Sequence, residues 1–441
     1  VKAFERVQLV HVWKWGLYYG FPKALLAMVL TYFGYARRLV VDGCYTESLE
    51  TCTAIVAGSR FSVCILRLML QWPMEQLQKS WPDLRLKVFV DDASLQFRRE
   101  QWWLAMNLPR LVDQAQELLE QMGLEISKGT KWQPGGKSKV VLTSKWLKDK
   151  LTTTFKRRGM AMVTEAVYLG VDVAPDQYRK CRRMERRAIF ARRVNKVVSL
   201  KRGGKQYQRG ARQVLQNGLK PAFTFGTKCL GISDRDLQIL RAGLRKAGTA
   251  GRGSTTMRLA MAKLEPTMQV SSYPIDLWAA AIWDQSMYMP LMYKAWMRTR
   301  MQISEKAKIE GKPVTEVKLG WQKVHGPAGA VTMSLHRAGW TWLQWHTWRT
   351  RDGFVVDARE TCTRDIVKLF QRDVERQLWA DWCTKHDQPQ LAPAPFLDPL
   401  LKLTHAKHSD EWTQKHAAAL RGVVTGGAIT QTTLSEWYPQ Q

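Results

Sequence analysis

The sequence predicts an α+β fold over its first 173 residues and a mostly helical structure after them. Apolar and polar side chains alternate along residues 84–90, which is the period of a strand with one buried face. The alternation resumes at Leu95 and Phe97, so the two segments are predicted to pair as an antiparallel hairpin. Residues 100–122 instead carry apolar side chains every three or four positions, as an amphipathic helix does. An antiparallel sheet with helices packed on it is an α+β arrangement.

Further elements are predicted on both sides of the hairpin. Two helices over residues 5–35 are separated at Gly20-Phe21-Pro22, because glycine and proline interrupt helices. A helix over residues 61–72 is predicted to end at Pro73. Short strands are predicted at residues 37–42, 139–142 and 167–173.

Composition restricts the class of protein and its partner. A chain of 441 residues can form two or three domains. Its 68 basic and 38 acidic residues give a net charge of +30, which favours nucleic acid as the partner over an anionic membrane surface. No apolar run reaches the roughly 20 residues that a membrane span requires. Seven cysteines without a Cys-x-x-Cys pair are typical of reduced thiols, so we expect a nuclear or cytoplasmic protein.

The most basic part of the chain lies between residues 179 and 212, with fourteen Lys or Arg and one acid, Glu185. Apolar residues fall there at helical spacing, so the basic residues are predicted to cover the opposite face of a helix. These apolar residues are Met184, Ala188, Ala191, Val194 and Val198. An ordinary solvated face mixes both signs of charge, so we favour contact with a nucleic-acid backbone. The candidate contacts are Arg179, Arg182, Arg183, Arg186, Arg187, Arg192 and Arg193.

Residues 266–441 are predicted to be helical and are rich in tryptophan. One helical stripe comprises Trp278, Trp283, Met287, Met292 and Trp296, and four more tryptophans lie between residues 340 and 348. Tryptophans between basic residues can stack on nucleic-acid bases, but core packing is their commoner use and is the preferred interpretation. The role of this region stays open.

The candidate site with the most specific chemistry is Val88-Phe89-Val90-Asp91-Asp92, where two adjacent carboxylates fall at the turn of the predicted hairpin. Neighbouring like charges repel each other, and a bound divalent cation relieves that repulsion. An isolated Val-Asp-Asp is more often an ordinary turn, because aspartate favours turns. The order of other segments along the chain favours a metal site instead.

Five segments in order resemble the sequence blocks of reverse transcriptases. They are Lys2-Ala3-Phe4-Glu5-Arg6-Val7, Gly58-Ser59-Arg60-Phe61-Ser62, Phe89-Val90-Asp91-Asp92, residues 123–131 and Tyr168-Leu169-Gly170-Val171. The segment at residues 2–7 is similar to the end of the family's first catalytic block, and the one at residues 58–62 to the block beneath the incoming nucleotide. The segment at residues 89–92 is similar to the metal-binding box, and residues 123–131 to the block that follows it. The segment at residues 168–171 is similar to the one near the primer terminus. The chain is most similar to the basic, tryptophan-rich polyproteins of non-LTR retrotransposons from dinoflagellate-like protists.

The resemblance implies an RNA-directed DNA polymerase that uses two Mg²⁺ ions, or Mn²⁺ in their place, held by Asp91 and Asp92. It implies an RNA template, a DNA primer or target, and deoxynucleoside triphosphates as partners. The residues implied at the nucleotide are Phe4, Gly58, Ser62, Phe89 and Lys131, with Lys128 as the alternative to Lys131. Those implied at the primer terminus are Tyr168, Leu169 and Gly170.

By the same resemblance, residues 1–173 would form the palm, 174–265 a basic helical thumb and 266–441 a C-terminal region. The first catalytic block of the family opens with an Asp that would lie two positions before Val1, and no fingers segment is present. The sequence is therefore expected to be a fragment that is inactive by itself. Ala57 also stands where the family has a nucleotide-contacting Gln. Two interpretations stay open: a fragment of a polymerase, and a catalytically dead remnant that binds nucleic acid. A third, a scaffold built on a pseudo-polymerase, fits the retained Asp pair less well.

Overall fold

The fold is given by a computed structural model, in which the chain forms two compact units, residues 1–169 and 170–441. The structure describes residues 3–36, 38, 40–48, 53, 55, 59, 61–90, 92–126, 138–142, 144–163, 166–168, 171–173, 181–202, 210–211, 213–249, 254–314, 317, 319–386, 397–405 and 413–425.

The first unit is a mixture of helices and short strands. Its helices are α1 (Ala3–Arg6), α2 (Leu9–Tyr18), α3 (Lys23–Gly34), α4 (Ser62–Ser80), α5 (Gln101–Glu120) and α6 (Lys145–Arg157). Its strands are β1 (Val40–Val41), β2 (Cys44–Tyr45), β3 (Arg85–Phe89), β4 (Asp92–Gln96), β5 (Lys139–Val141), β6 (Ala161–Val163) and β7 (Ala166–Tyr168). The α+β class is confirmed, and the break between the first two long helices lies where Gly20-Phe21-Pro22 predicts it.

The strands of this unit do not all follow the predicted antiparallel pattern. The β1–β2 and β3–β4 pairs are antiparallel, whereas β5 and β6 are parallel. The parallel pair is explained by α6, because a helix between two strands carries the chain back to start the second strand in the same direction. The arrangement of a polymerase palm therefore stays a prediction.

The main core of the first unit lies between α2, α3, α4 and α5. Val12, Leu26, Phe33, Leu66 and Leu111 are among its fully buried side chains. A second, smaller core lies beneath α6 and is formed by Leu147, Leu151, Phe155 and Met160.

The prediction that helix α4 ends at Pro73 is wrong, since the helix continues to Ser80 with Pro73 inside it. Proline removes one backbone hydrogen bond from a helix, which disfavours this position. Pro73, Met74 and Leu77 are all buried on the core side of α4, however. Burial of these apolar side chains offsets the lost hydrogen bond.

The second unit is mainly helical. Its helices are α7 (Cys181–Arg202), α8 (Lys220–Thr224), α9 (Thr227–Leu230), α10 (Asp234–Gly248), α11 (Thr255–Met261), α12 (Thr267–Trp283), α13 (Met289–Glu310), α14 (Pro327–Ala338), α15 (Thr363–Lys385), α16 (Asp398–His405) and α17 (Gln414–Val424). A π-helical turn at Leu215–Leu219 precedes α8, and a 3-10 turn spans Trp321–Lys323. Its strands are β8 (Val171–Val173), β9 (Thr341–Gln344), β10 (Thr347–Arg349) and β11 (Val355–Asp357).

Two large cores stabilise the second unit. In the first, α7 packs on α10, and Phe190 and Val194 are buried against Leu240. Gly243 allows this close packing, because a Cβ atom there would lie 2.4 Å from the Phe190 ring. The second core joins α12, α14 and α15 to the three-stranded sheet.

Residues 341–357 form that sheet, so the prediction that this region is helical throughout is wrong. Strand β10 pairs antiparallel with both β9 and β11. The segment is rich in tryptophan, threonine and valine, which favour a pleated and half-buried surface. The turn before β11 contains Gly353 at φ 89°, a conformation that suits glycine.

Most of the predicted tryptophan stripe packs in the core, as the preferred interpretation held. In the stripe, Trp278, Met292 and Trp296 are buried, whereas Trp283 and Met287 are exposed. Trp340 and Trp348, from the second group of tryptophans, are buried as well. Two of the buried indole groups have acceptors, since Trp278 Nε1 donates to the Trp345 carbonyl and Trp340 Nε1 to Asp373 Oδ2, each over 2.8 Å. The buried Trp348 Nε1 has no acceptor among the described residues. Among the described helices, none has the length and apolar character needed to cross a membrane.

Candidate functional site

The hairpin that carries the acid pair has a loop of only two residues. Phe89 pairs with Asp92 at the ends of β3 and β4, so a loop of two positions that begins at Val90 joins the strands. Val90 has φ 57°, in the left-handed region that two-residue hairpin loops require. A β-branched residue is rarely found there, and such a conformation costs on the order of 1–3 kcal/mol. Because outliers of this kind cluster at functional sites, the turn is a candidate site.

The surroundings hold this turn in place. The side chains of Val88, Val90 and Leu95 are partly buried against the main core of the first unit. Asp92 is exposed at the start of β4. An exposed carboxylate supplies the hard oxygen ligand that Mg²⁺ prefers, so the type of donor fits the implied cofactor. Within the described residues, however, no three His, Cys, Asp or Glu side chains are grouped as metal ligands.

The first two reverse-transcriptase-like segments are close in the fold. Phe4 is partly buried against the same core as Val90. Its carbonyl accepts a hydrogen bond of 2.8 Å from the Ile55 amide, a few residues before the second segment. Ser62 is buried at the start of α4, and its amide donates to the Ser59 carbonyl over 3.2 Å. Ser62 therefore lies in a closed turn at the start of α4, and the positioning role expected for it stays a prediction.

The structure leaves some predicted site residues undescribed. Asp91, Gly58, Lys131, Leu169, Gly170 and Arg179 lie outside the described residues. The backbones of Phe89, Tyr168 and Arg182 are described as strand or helix, but their side chains are not. The roles given to these nine residues stay predictions.

The strain at Val90 predicts a difference between two otherwise similar substitutions. Val88→Gly removes a partly buried side chain from a strand, and glycine gives the unfolded chain more conformational freedom to lose on folding. We therefore expect a loss of roughly 2 kcal/mol in the free energy of unfolding. Val90→Gly removes a similar side chain but relieves the positive-φ strain, so we expect a change within about 1 kcal/mol of zero. Urea denaturation of the full chain measures both. Equal losses from the two variants would show that Val90 is not strained.

The buried face of α7 differs from the predicted face. Met184 is 61% exposed, and Ala188 and Ala191 are exposed as well. Val194 is buried and Val198 partly buried, as predicted, but their inward-facing neighbours are Phe190 and Val197. The predicted face was wrong in the first half of the helix because arginines occupy the inward positions there, and their partner lies far along the chain.

That partner is Asp236 on α10, which the sequence analysis did not single out. Its buried carboxylate forms ion pairs with both Arg183 and Arg187, and Arg187 Nε donates to Asp236 Oδ1 over 2.5 Å. Ser233 caps α10, since the Asp236 amide donates to Ser233 Oγ over 3.2 Å. Ser-x-x-Asp is close to the capping-box pattern, which would have marked the helix start but not the ion pairs.

The candidate nucleic-acid face of α7 is therefore divided into two parts. Arg183, Arg186 and Arg187 have partners inside the second unit; Arg186 Nη1 donates to the Phe225 carbonyl over 2.6 Å. Arg192, Arg193 and Lys196 are exposed and form no hydrogen bond or ion pair with other described residues. We call these last three the exposed cations of α7.

The chain was also compared with known proteins. No protein-family model, curated protein or solved structure matches it.

Proposed function

We propose that this chain is the palm, thumb and C-terminal region of a retroelement RNA-directed DNA polymerase. The observation that carries the proposal is the tight β3–β4 hairpin, whose two-residue loop joins a strained Val90 to the carboxylates of Asp91 and Asp92. Residues 1–173 would be the palm, 174–265 the thumb and 266–441 a region of unassigned role.

Asp91 and Asp92 would hold Mg²⁺ or Mn²⁺, which activates the primer hydroxyl and stabilises charge on the transferred phosphate. Phe4 shares a core with the hairpin and would contact the sugar of the incoming nucleotide. Ser62 would fix the turn in which Gly58 allows close approach of the nucleotide. The template, the primer and the deoxynucleoside triphosphates are the partners that this chemistry requires.

Primer extension tests this function directly. A poly(rA) template with an oligo(dT) primer, deoxythymidine triphosphate and either Mg²⁺ or Mn²⁺ supplies every proposed partner. Extension that depends on the metal and on Asp91 would support the polymerase. The absence of extension from a polypeptide that also carries the family's first-block Asp and fingers would contradict it.

A second candidate function is a nucleic-acid-binding module without catalysis. The exposed cations of α7 favour this second candidate, because surface cations without a protein partner can neutralise the phosphates of a nucleic-acid backbone. Ala57 favours it as well, since an alanine cannot make the polar contact to a nucleotide that the family's Gln makes. This candidate needs duplex binding but no metal.

Both candidates predict salt-dependent binding of an RNA–DNA duplex. Each neutralised phosphate contributes about −0.9 to the slope of log affinity against log salt. If about five cations engage, affinity should fall by roughly three orders of magnitude between 50 and 200 mM salt. Fluorescence anisotropy of a labelled duplex measures the slope.

The exposed cations of α7 are the residues to change in this titration. Joint replacement of Arg192, Arg193 and Lys196 by Ala should make the slope shallower by up to roughly 2.7, while alanine preserves the helix. The matched control removes three exposed cations of α13, Lys294, Arg298 and Lys308, and so lowers net charge equally. Equal slopes for the two triple variants would place the nucleic-acid path away from α7.

A further inference from the structure

A cavity of ≈ 630 Å³ lies in the second unit, beside the first turns of α7 and α10. Arg183, Arg186, Arg187 and Arg235 line it, together with the single carboxylate of Asp236. Phe225 and Trp321 supply aromatic surface. Its volume falls within the range of about 300–1,000 Å³ that is usual for small-molecule sites.

The charge in this cavity is unbalanced. Arg183 and Arg187 share the one carboxylate of Asp236, so their positive charge exceeds its negative charge. The Nε atom of Arg183 is buried and has no hydrogen-bond acceptor among the described residues. Arg235 is exposed and forms no ion pair within the described part of the chain. An anion with several oxygen acceptors would balance this excess positive charge, as phosphate does with arginine.

The aromatic side chains that line the cavity set a second requirement for its ligand. Phe225 is 54% exposed, and the Arg186 guanidinium carbon lies 5.3 Å from the centre of its ring. Trp321 packs directly on Gly231, where a Cβ atom would lie 2.6 Å from the indole. The Trp321 indole also donates to Asp234 Oδ2 over 3.3 Å, which fixes its orientation. Rigid aromatic rings next to arginines are surfaces on which a nucleobase stacks.

We propose that this cavity binds a phosphorylated nucleoside, with the phosphate at the arginines and the base against the aromatic rings. Phosphate alone would balance the charge but would leave the Phe225 ring exposed on the side that Arg186 does not cover. The same chemistry is offered by a free nucleotide and by the phosphorylated end of a nucleic-acid strand. The site lies wholly in the second unit and uses neither Asp91 nor Asp92, so it is independent of polymerase activity.

Equilibrium dialysis of the full chain with radiolabelled AMP and ATP tests the proposal. EDTA is present throughout, so that metal-dependent nucleotide binding at the Asp91–Asp92 hairpin does not contribute. Arg235→Ala should weaken binding by about tenfold, because a charge-assisted hydrogen bond to phosphate is lost. Phe225→Ala should weaken it by roughly tenfold through lost stacking. Both side chains are exposed, so neither variant is expected to unfold the unit, and circular dichroism checks that each is folded.

Matched controls separate the cavity from general surface effects. Arg298→Ala removes an exposed arginine from α13, and Tyr288→Ala removes an exposed aromatic ring just before that helix. Neither residue lines the cavity, so both controls should bind AMP as the unaltered chain does. The double variant Asp91→Ala/Asp92→Ala should also bind AMP unchanged, even where it cannot extend a primer.

Competition against AMP identifies the source of the nucleotide. A 5′-phosphorylated oligonucleotide and the same oligonucleotide with a 5′-hydroxyl are compared as competitors of AMP. If the phosphorylated form displaces AMP at a tenfold lower concentration, the site is assigned to a strand end. Displacement by ATP but by neither oligonucleotide would assign it to a free nucleotide. Pyrophosphate competing as well as AMP would overturn the role of the aromatic rings. No binding at millimolar AMP and ATP, or unchanged binding by the Arg235 and Phe225 variants, would overturn the site itself.

Discussion

Asp91→Ala is expected to lower primer extension by at least about three orders of magnitude in a form of this protein that is active. A metal ion contributes several kcal/mol to stabilisation of the transition state, and each 1.4 kcal/mol corresponds to about tenfold in rate. The form to use is one in which the family's first-block Asp and a fingers segment are placed ahead of residue 1. Residues 1–441 alone are expected to give no appreciable extension.

Two controls make the loss specific to the metal site. Asp149→Ala removes an exposed carboxylate from α6 in the same unit and should leave extension unchanged. Duplex affinity, measured by anisotropy, should stay within about twofold for Asp91→Ala, because the binding cations are unaltered. Robust extension by the Asp91 variant would exclude the hairpin as the metal site. Robust extension by residues 1–441 alone would mean that another carboxylate, for which Glu5 is the nearest candidate in sequence, replaces the first-block Asp.

The parts of the fold that the sequence predicted well are those in which local periodicity decides the structure. The β3–β4 hairpin follows from alternation on both sides of a two-residue turn. Helix α5 follows from the apolar spacing of its segment, and Leu111, Ala115 and Leu118 of the apolar stripe are buried. In both cases the pattern and the buried face belong to the same short segment.

The predictions failed where distant residues decide the outcome. Pro73 is tolerated in α4 because the core buries its neighbours, and that core includes residues from α2, α3 and α5. The inward positions of Arg183 and Arg187 depend on Asp236, some fifty residues away. A count of fourteen cations on one segment could not separate those with internal partners from the exposed cations of α7. The hairpin was predictable, but its turn was placed wrongly: Val90, predicted in the strand, lies in the turn, and Asp92, predicted at the turn, lies in β4. The strain at Val90 was visible only from its backbone angle.

Asp236→Ala is expected to destabilise the packing of α7 on α10 by ~3 kcal/mol, because breaking a buried ion pair leaves its partners charged and uncompensated. The value lies at the lower end of the usual range because the Arg183 side chain is 39% exposed and can be partly hydrated. Hydrogen–deuterium exchange of peptides from α7 and α10 measures this loss of stability locally. The measurement is therefore valid even if the two units unfold separately. Asp365→Ala is the matched control. Asp365 pairs with Lys368 on the surface of α15, where an ion pair contributes at most about 1 kcal/mol.

A triple variant distinguishes uncompensated charge from a simple loss of contacts. Arg183→Met, Arg187→Met and Asp236→Leu together remove all three charges while retaining side chains of similar length. If the penalty of Asp236→Ala arises from buried charge, the triple variant should recover most of the protection from exchange in α7. Because the exposed cations of α7 are unchanged in it, duplex binding should survive with its salt dependence largely intact. A triple variant as unstable as Asp236→Ala would instead mean that lost hydrogen bonds cause the penalty, namely the bond from Arg187 to Asp236 across the two helices and the Ser233–Asp236 bonds that cap α10.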